Sequence, residues 1–212
     1  THPGANYQFG HAVAISDEGD RAIVGSPFAD DYTSNSGAIY TFEVVNENCS
    51  VPQLIFNGAG LGNSVDMSAD GNYCIVGAPN LVHNGETTGQ VYVYRNNAGV
   101  WVEEAQLLSD DISSGDNFGW AISINADGSQ CVIGAPRANS RSDRSGAAYV
   151  FNRNGTTWSQ TAKLMPNSAQ ANDLFGASVD ISEHAETVVI GVPGSSHESL
   201  NNGAVYIFSA ND

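Results

Sequence analysis

Short apolar runs alternate with glycine-rich polar stretches along the chain, and no segment has the period of an amphipathic helix. Between Gly10 and Ser16, Val13 and Ile15 alternate with alanines, as in a half-buried strand. A turn with an Asp-Gly signature follows in the later copies of this pattern, and then come a short apolar run and an aromatic run. The pattern predicts an all-β chain.

The same series of elements occurs four times. A Phe-Gly or Leu-Gly pair recurs at steps of 52, 57 and 57 residues, and further glycines follow each pair after 15 and then 12 residues. The pairs are Phe9-Gly10, Leu61-Gly62, Phe118-Gly119 and Phe175-Gly176; the later glycines are Gly25, Gly77, Gly134 and Gly191, then Gly37, Gly89, Gly146 and Gly203. These spacings predict one domain over 1–212, with repeats at about 9–57, 61–108, 118–165 and 175–208.

The second and third strands of each repeat are apolar on both faces, which predicts sheets that are covered on both sides. Four-stranded sheets stacked radially are the blades of a β-propeller. A fourth strand begins at Trp101 and at Trp158, whereas the last repeat reaches Phe208 with its third strand. We therefore predict a propeller of four blades in which the last lacks its outer strand. We expect its open edge to be covered by the first residues of the chain, by a strand of a longer parent protein or, as we favour, by a neighbouring subunit.

The third repeat contains Phe118-Gly119, an Asp127-Gly128 turn, Gly134-Ala135-Pro136, Gly146-Ala147-Ala148-Tyr149 and Trp158. This order resembles the FG-GAP repeat, which builds the propeller of integrin α subunits, and the resemblance spans residues 9–208. It implies an extracellular, secreted or cell-surface module for adhesion or ligand binding. Three forms of closure remain open: blades of a larger ring, a compact ring of four, or two chains that complete each other.

The turns depart from the calcium-binding pattern of the integrin-type repeats, which resembles Asp-x-Asp-x-Asp-Gly-x-x-Asp. Calcium takes six to eight oxygen ligands, and the turns of this chain offer few carboxylates each. These are Asp17, Glu18 and Asp20 in the first repeat, Asp70 in the second, Asp127 in the third, and Glu183 and Glu186 in the fourth. We expect no cofactor, with calcium kept as the alternative.

Seven Lys and Arg stand against 23 Asp and Glu, so the formal net charge is −16. Nucleic-acid binding and attraction to anionic lipid both require clustered basic residues, so this balance argues against both. No apolar run reaches the length of a membrane span, so we expect no membrane insertion.

The repeats separate scaffold from candidate site residues, because a residue present in one copy alone is free to contact a ligand. The loops between the second and third strands are equal in length and unlike in sequence, and such loops share one face of a propeller. The predicted ligand-binding residues of this face are Asp31, His83, Trp120, Arg137, Arg141, Arg144 and His197. A metal held between Asp31, His83 and His197 is disfavoured, because equivalent loops of neighbouring blades lie too far apart.

Several of these residues have two interpretations. Trp120 either fills a gap between blades or exposes its ring to a sugar or a partner side chain. Arg141 and Arg144 either pair with Asp143 and nearby carboxylates, or the arginines of this loop bind a carboxylate or sulfate of a ligand. Asp66 and Asp180 lie on the small-residue face of the first strand and are predicted to line the axial channel.

The chain carries no recognised catalytic motif, which favours a non-enzymatic function and leaves the question of an enzyme with dispersed catalytic residues open. The predicted function is binding or adhesion to a protein or glycan ligand. The alternatives are a lectin that binds sugars between blades, a polysaccharide-active enzyme, and a structural unit of a surface filament or larger propeller. Asn48 and Asn154 begin candidate N-glycosylation sequons.

Overall fold

The computed structural model describes residues 8–29, 37–45, 48–50, 52–57, 60–196 and 202–210. Every regular element in these ranges is a β-strand, and the strands form four main antiparallel sheets in chain order and one separate two-stranded hairpin. The first sheet contains β1 (Ala12–Ile15), β2 (Arg21–Ser26), β3 (Ala38–Val45) and β5 (Gln53–Asn57), and β4 (Asn48–Cys49) pairs with the end of β3.

The second and third sheets repeat this arrangement of four main strands, and the fourth has the first three of them. The second contains β6 (Ser64–Met67), β7 (Tyr73–Ala78), β10 (Gln90–Asn97) and β11 (Val100–Leu107), with a small hairpin of β8 (Val82–His83) and β9 (Glu86–Thr87). The third contains β12 (Ala121–Ile124), β13 (Gln130–Ala135), β14 (Ala147–Asn154) and β15 (Thr157–Leu164), and the fourth β16 (Ser178–Ile181), β17 (Thr187–Val192) and β18 (Ala204–Ser209). We call these sheets blades 1 to 4.

The blades stand side by side with their first strands innermost. β1 packs against β6, β6 against β12, and β12 against β16. The prediction of a β-propeller with a three-stranded last blade is confirmed for the described part of the chain. The assignment of residues 1–212 to one domain stays a prediction.

The hydrophobic core is divided among the interfaces between neighbouring blades. Between blades 2 and 3, for example, Ile75 and Val91 of one blade pack with Phe118 and Ile122 of the next. Equivalent clusters lie between blades 1 and 2 and between blades 3 and 4. Each core therefore combines the trailing face of one blade with the leading face of the following blade.

The repeated glycines occupy the points where two blades approach most closely. A Cβ added to Gly25, Gly77 or Gly134 would lie 2.2, 2.1 or 2.0 Å, respectively, from a carbonyl oxygen of the next blade. The oxygens belong to Gly62, Gly119 and Gly176. Only a residue without a side chain permits this contact, which explains why the glycine spacing is constant.

A chain of hydrogen bonds links the turns between the first and second strands of successive blades. The backbone N–H of Asp17 donates to Ala69 O at 2.9 Å, that of Ala69 to Ala126 O at 2.9 Å, and that of Ala126 to Glu183 O at 3.2 Å. Arg153 adds a side-chain link between blades 2 and 3, since its guanidinium lies 4.0 Å from the centre of the Tyr73 ring. These contacts fix the relative positions of the blades.

The edge of β18 borders a groove of about 480 Å³ beside blade 3. Ala162 and Leu164 of β15 line one side of it, and Phe208 of β18 lines the other. The outer strands β11 and β15 contact each other in the preceding pair of blades, so the groove lies where a fourth strand of blade 4 would pack.

Gly134→Ala should lower the free energy of unfolding by about 3 kcal/mol, because the new methyl group would force blades 3 and 4 apart. The control is Gly155→Ala in an exposed hairpin, where φ is +64° and no atom lies within 4 Å of the added Cβ. That change should cost only about 1 kcal/mol of backbone strain. Urea denaturation of both variants measures the difference, and equal losses would contradict the role assigned to the contact.

Candidate functional site

Loops from successive blades interlock on one side of the molecule, which we call the loop face and define as 79–89, 109–117, 136–146, 167–174 and 193–196. Gly115 N donates to Thr87 O at 2.8 Å, and Arg137 N donates to Asp116 O at 3.2 Å. The pattern repeats one blade further on, where Gly194 N donates to Asp173 O at 3.0 Å. The loop face is thus a continuous hydrogen-bonded surface across blades 2, 3 and 4.

Two buried carboxylates that sequence reasoning missed shape the connections between blades. Asp116 accepts a hydrogen bond from Ser113 N at 2.8 Å, and Asp173 accepts one from Gln170 N at 2.7 Å. Burial raises the pKa of Asp116. Each aspartate lies two residues before the phenylalanine of its repeat, and this recurrence in two copies was the signal that could have identified them as scaffold.

Trp120 lies at the inner rim of the loop face, directly before β12. Its backbone N–H donates to Asn117 O at 3.1 Å, and 42% of the residue is exposed to solvent. The rest of the residue is covered, so the choice between a plug and a ligand-binding ring stays a prediction. The backbone N–H groups of Trp120 and Arg137 donate to the carbonyl oxygens of the consecutive residues Asn117 and Asp116, so the backbones of the two residues lie close together.

The loop between β13 and β14 presents Arg137, Arg141 and Arg144, all exposed. The Arg141 guanidinium donates to Asn167 Oδ1 at 3.4 Å, and Arg144 N donates to Asn139 Oδ1 at 2.9 Å. Among the residues that the structure describes, none of the three guanidinium groups forms a salt bridge with a carboxylate. The alternative in which Asp143 neutralises them therefore has no counterpart in the structure.

His83 is exposed in the small hairpin of blade 2, opposite Glu86. Asp31 and His197 fall outside the described residues, so the arrangement of these three stays a prediction. The described ranges contain no group of three or more His, Cys, Asp or Glu side chains placed to hold a metal ion.

The structure brings Asp66 and Asp180 together on the inner strands, on either side of Ser123. The Ser123 hydroxyl lies 3.1 Å from Asp66 Oδ2 and 3.1 Å from Asp180 Oδ1. Asp66 also accepts hydrogen bonds from the backbone N–H groups of Ile124 at 2.8 Å and Met67 at 2.9 Å. Burial, with a smaller contribution from the nearby Asp180 carboxylate, raises the pKa of Asp66 above its ordinary value.

A second concavity, which sequence reasoning missed, lies on the opposite side of the molecule, among the turns between first and second strands. It has a volume of about 600 Å³ and is lined by Asp70, Asp127, Glu183 and Arg153, among others. Asp70 accepts hydrogen bonds from Ser68 and Asn72 within its own turn, and Asp127 accepts one from Ser129. These carboxylates stabilise their turns, and the expectation about calcium stays a prediction.

A family model described as the FG-GAP repeat matches residues 3–42, 101–151 and 158–208, which is well over half of the chain. The chain belongs to the FG-GAP repeat family. Human integrin alpha-11 is 26% identical over 154 residues, a match that covers 66% of this chain and 12% of the integrin. The FG-GAP chain thus spans a small part of that relative.

Solved structures show the same fold. TolB from Acinetobacter baumannii matches with a TM-score of 0.54 and 16% identity, covering 93% of this chain and 43% of the TolB chain. The putative TolB from Agrobacterium tumefaciens matches with a TM-score of 0.55 and 11% identity, covering 94% of this chain and 58% of the other. At these identities the likeness concerns the fold alone.

The remaining features of the FG-GAP chain concern its glycosylation sequons, its cysteines and its helix content. Asn48 and Asn154 are both exposed, Asn154 at the tip of the β14–β15 hairpin, and their glycosylation stays a prediction. Cys49 is exposed, whereas Cys74 and Cys131 are buried. In the described part of the chain, no helix has the length and apolar character needed to cross a bilayer.

Tyr149→Ala should reduce the free energy of unfolding by about 3–5 kcal/mol, because Tyr149 is fully buried between blades 2 and 3. Trp120→Ala is the comparison and should cost much less, because 42% of Trp120 is already exposed to solvent. Guanidinium denaturation tests both, and a comparable loss for Trp120→Ala would show that its ring belongs to the core.

Asp66→Asn should alter the pH dependence of stability. The folded-state pKa of Asp66 lies above 3.8, so the native protein loses stability as pH rises through that folded pKa, while an asparagine does not titrate. The unfolding free energy of the variant relative to the native protein should therefore increase as the pH rises above about 4, the ordinary pKa of an aspartate. Asp127→Asn should change in the opposite direction. The hydrogen bond from Ser129 lowers the Asp127 pKa, so the unfolding free energy of this variant relative to the native protein should decrease as the pH rises. A change of the same sign in both variants would contradict a raised pKa at Asp66 and a lowered pKa at Asp127.

Proposed function

We propose that this FG-GAP chain is a non-enzymatic extracellular binding module of the adhesion type, and that it engages an acidic protein ligand through the loop face. The observation that carries the proposal is that three exposed arginines of one loop have no carboxylate partners among the described residues, with Trp120 exposed at the rim of the same face. Membership of the family and the match to integrin alpha-11 support a binding role at the cell exterior.

The chemistry of the surface suits a carboxylate-bearing partner. A guanidinium donates two parallel hydrogen bonds to a carboxylate, and the exposed part of the indole provides apolar contact area at the rim of the same face. Arginine and tryptophan are also enriched among the residues that dominate binding energy at protein interfaces. The loops that carry Arg137 and Trp120 are fixed by backbone hydrogen bonds, so little ordering entropy is lost when a ligand binds.

The net charge of the chain favours one orientation of a bound acidic ligand. A net charge of −16 repels an acidic ligand from most of the surface, whereas the three arginines attract it to one loop. Complementarity of this kind increases specificity and the rate of association more than it increases affinity. The ligand should therefore bind in one orientation, and high salt should weaken the interaction.

The test measures binding of the intact chain to an immobilised glutamate-rich peptide, with a heparin oligosaccharide and a neutral oligosaccharide as competing probes. Replacement of Arg137, Arg141 and Arg144 by Gln together should weaken binding to the peptide by about ten- to a hundredfold. Arg95→Gln is the control, because Arg95 lies on β10, outside the loop face, and pairs with Glu104 at 3.5 Å.

An equal loss in the triple variant and in Arg95→Gln would contradict the assigned surface. Binding to heparin but not to the peptide would reassign the loop face to an acidic glycan. Binding to the neutral oligosaccharide alone would favour a lectin.

A further inference from the structure

Blade 1 exposes an apolar surface that is buried in the other blades. Val13 is 67% exposed and Ile15 is 61% exposed, and the preceding Phe9 is also exposed. The equivalent residues of blade 2, which are Leu61, Val65 and Met67, are buried against blade 1. We call Phe9, Val13 and Ile15 the leading face of the array.

Blade 4 exposes the complementary surface. Val205 is 65% exposed and Ile207 is 69% exposed, and Val189 beside them is partly exposed. The equivalent residues of blade 2, which are Ile75, Val91 and Val93, are fully buried in the core shared with blade 3. We call Val189, Val205 and Ile207 the trailing face of the array.

The backbone at these two faces also has open space where the other blades contact each other. Gly191 is equivalent to Gly134, yet a Cβ added to Gly191 would meet only Ser178 of its own blade. Gly10 is equivalent to Gly176, and a Cβ added to Gly10 would have no atom within 4 Å. Each end therefore carries half of a contact that occurs three times inside the chain.

We propose that the trailing face of one copy of this chain binds the leading face of a second copy, with the reciprocal contact closing a two-fold ring of eight blades. The two faces together supply the residues of a fourth inter-blade core, and the three existing cores show how such faces pack. Eight blades fall within the usual range for propellers, and a two-fold dimer is the commonest closed assembly. This proposal is independent of the ligand of the loop face.

Charge and apolar burial act in opposite directions in this assembly. Each copy carries a net charge of −16, so the copies repel at low ionic strength. Screening removes much of this repulsion at physiological salt and above, while the apolar contact persists. Association should therefore become stronger as salt is raised, in contrast to binding of an acidic ligand at the loop face.

Sedimentation equilibrium of the whole chain tests the proposal between about 1 and 100 µM protein, at low and high salt, a range that spans micromolar dissociation constants. The expected result is a concentration-dependent increase from 22.2 kDa to twice that mass, favoured by salt. Val13→Glu and Ile207→Glu should each weaken association by about tenfold or more, since each buries a charge in the new core. Val100→Glu is the control, because Val100 is 63% exposed and lies in the β10–β11 hairpin away from both faces.

Mixing Val13→Glu with Ile207→Glu separates a head-to-tail contact from a symmetric one. The mixture retains one unaltered trailing face and one unaltered leading face, so it should form a dimer more strongly than either variant alone. Circular dichroism and melting temperature confirm that the variants fold, as expected for positions exposed in the single chain. A monomer at every concentration and salt would overturn the proposal and assign the two faces to blades of a different chain. An effect of only one of the two substitutions would also overturn it.

Discussion

The approach of two glycine backbones at each blade boundary is the constraint on which the rest of the structure depends. Where Gly134 meets Gly176, the space for even one methyl group is absent. This closeness lets the inner strands pack and brings apolar side chains of adjacent blades into one core. Because the contact joins backbone to backbone, it holds whatever residues the loops contain, and the loops are left free to differ.

Regularities in the sequence predict the features that every blade must share. The recurring glycines predict the boundaries between blades, and the aromatic run predicts buried residues such as Tyr149. Features that depend on the rotation of one blade relative to the next were not predictable in the same way. The shared hydrogen bonding of Asp66 and Asp180 with Ser123 joins three different blades, and a repeat pattern places these residues on equivalent strands without giving the distance between them.

The loop face shows a second limit of sequence reasoning. Local charge pattern placed Asp143 next to two arginines and suggested neutralisation, yet the described loop keeps these guanidinium groups apart from carboxylates. The loop conformation is fixed instead by backbone hydrogen bonds to its neighbours, including Arg137 N to Asp116 O. Side-chain direction in such a loop follows from contacts that are distant in sequence, and adjacency in the chain does not determine it.

The two proposals concern surfaces that face different directions, so they can operate together. Head-to-tail contact around the propeller axis places the loop faces of both copies on the same side of the ring. A ligand that carries two acidic segments would then meet two arginine clusters at a fixed separation, and the second binding event would be intramolecular. Such an arrangement increases avidity without any new contact at either site, and it converts a modest interaction at one loop into stable attachment to a multivalent surface.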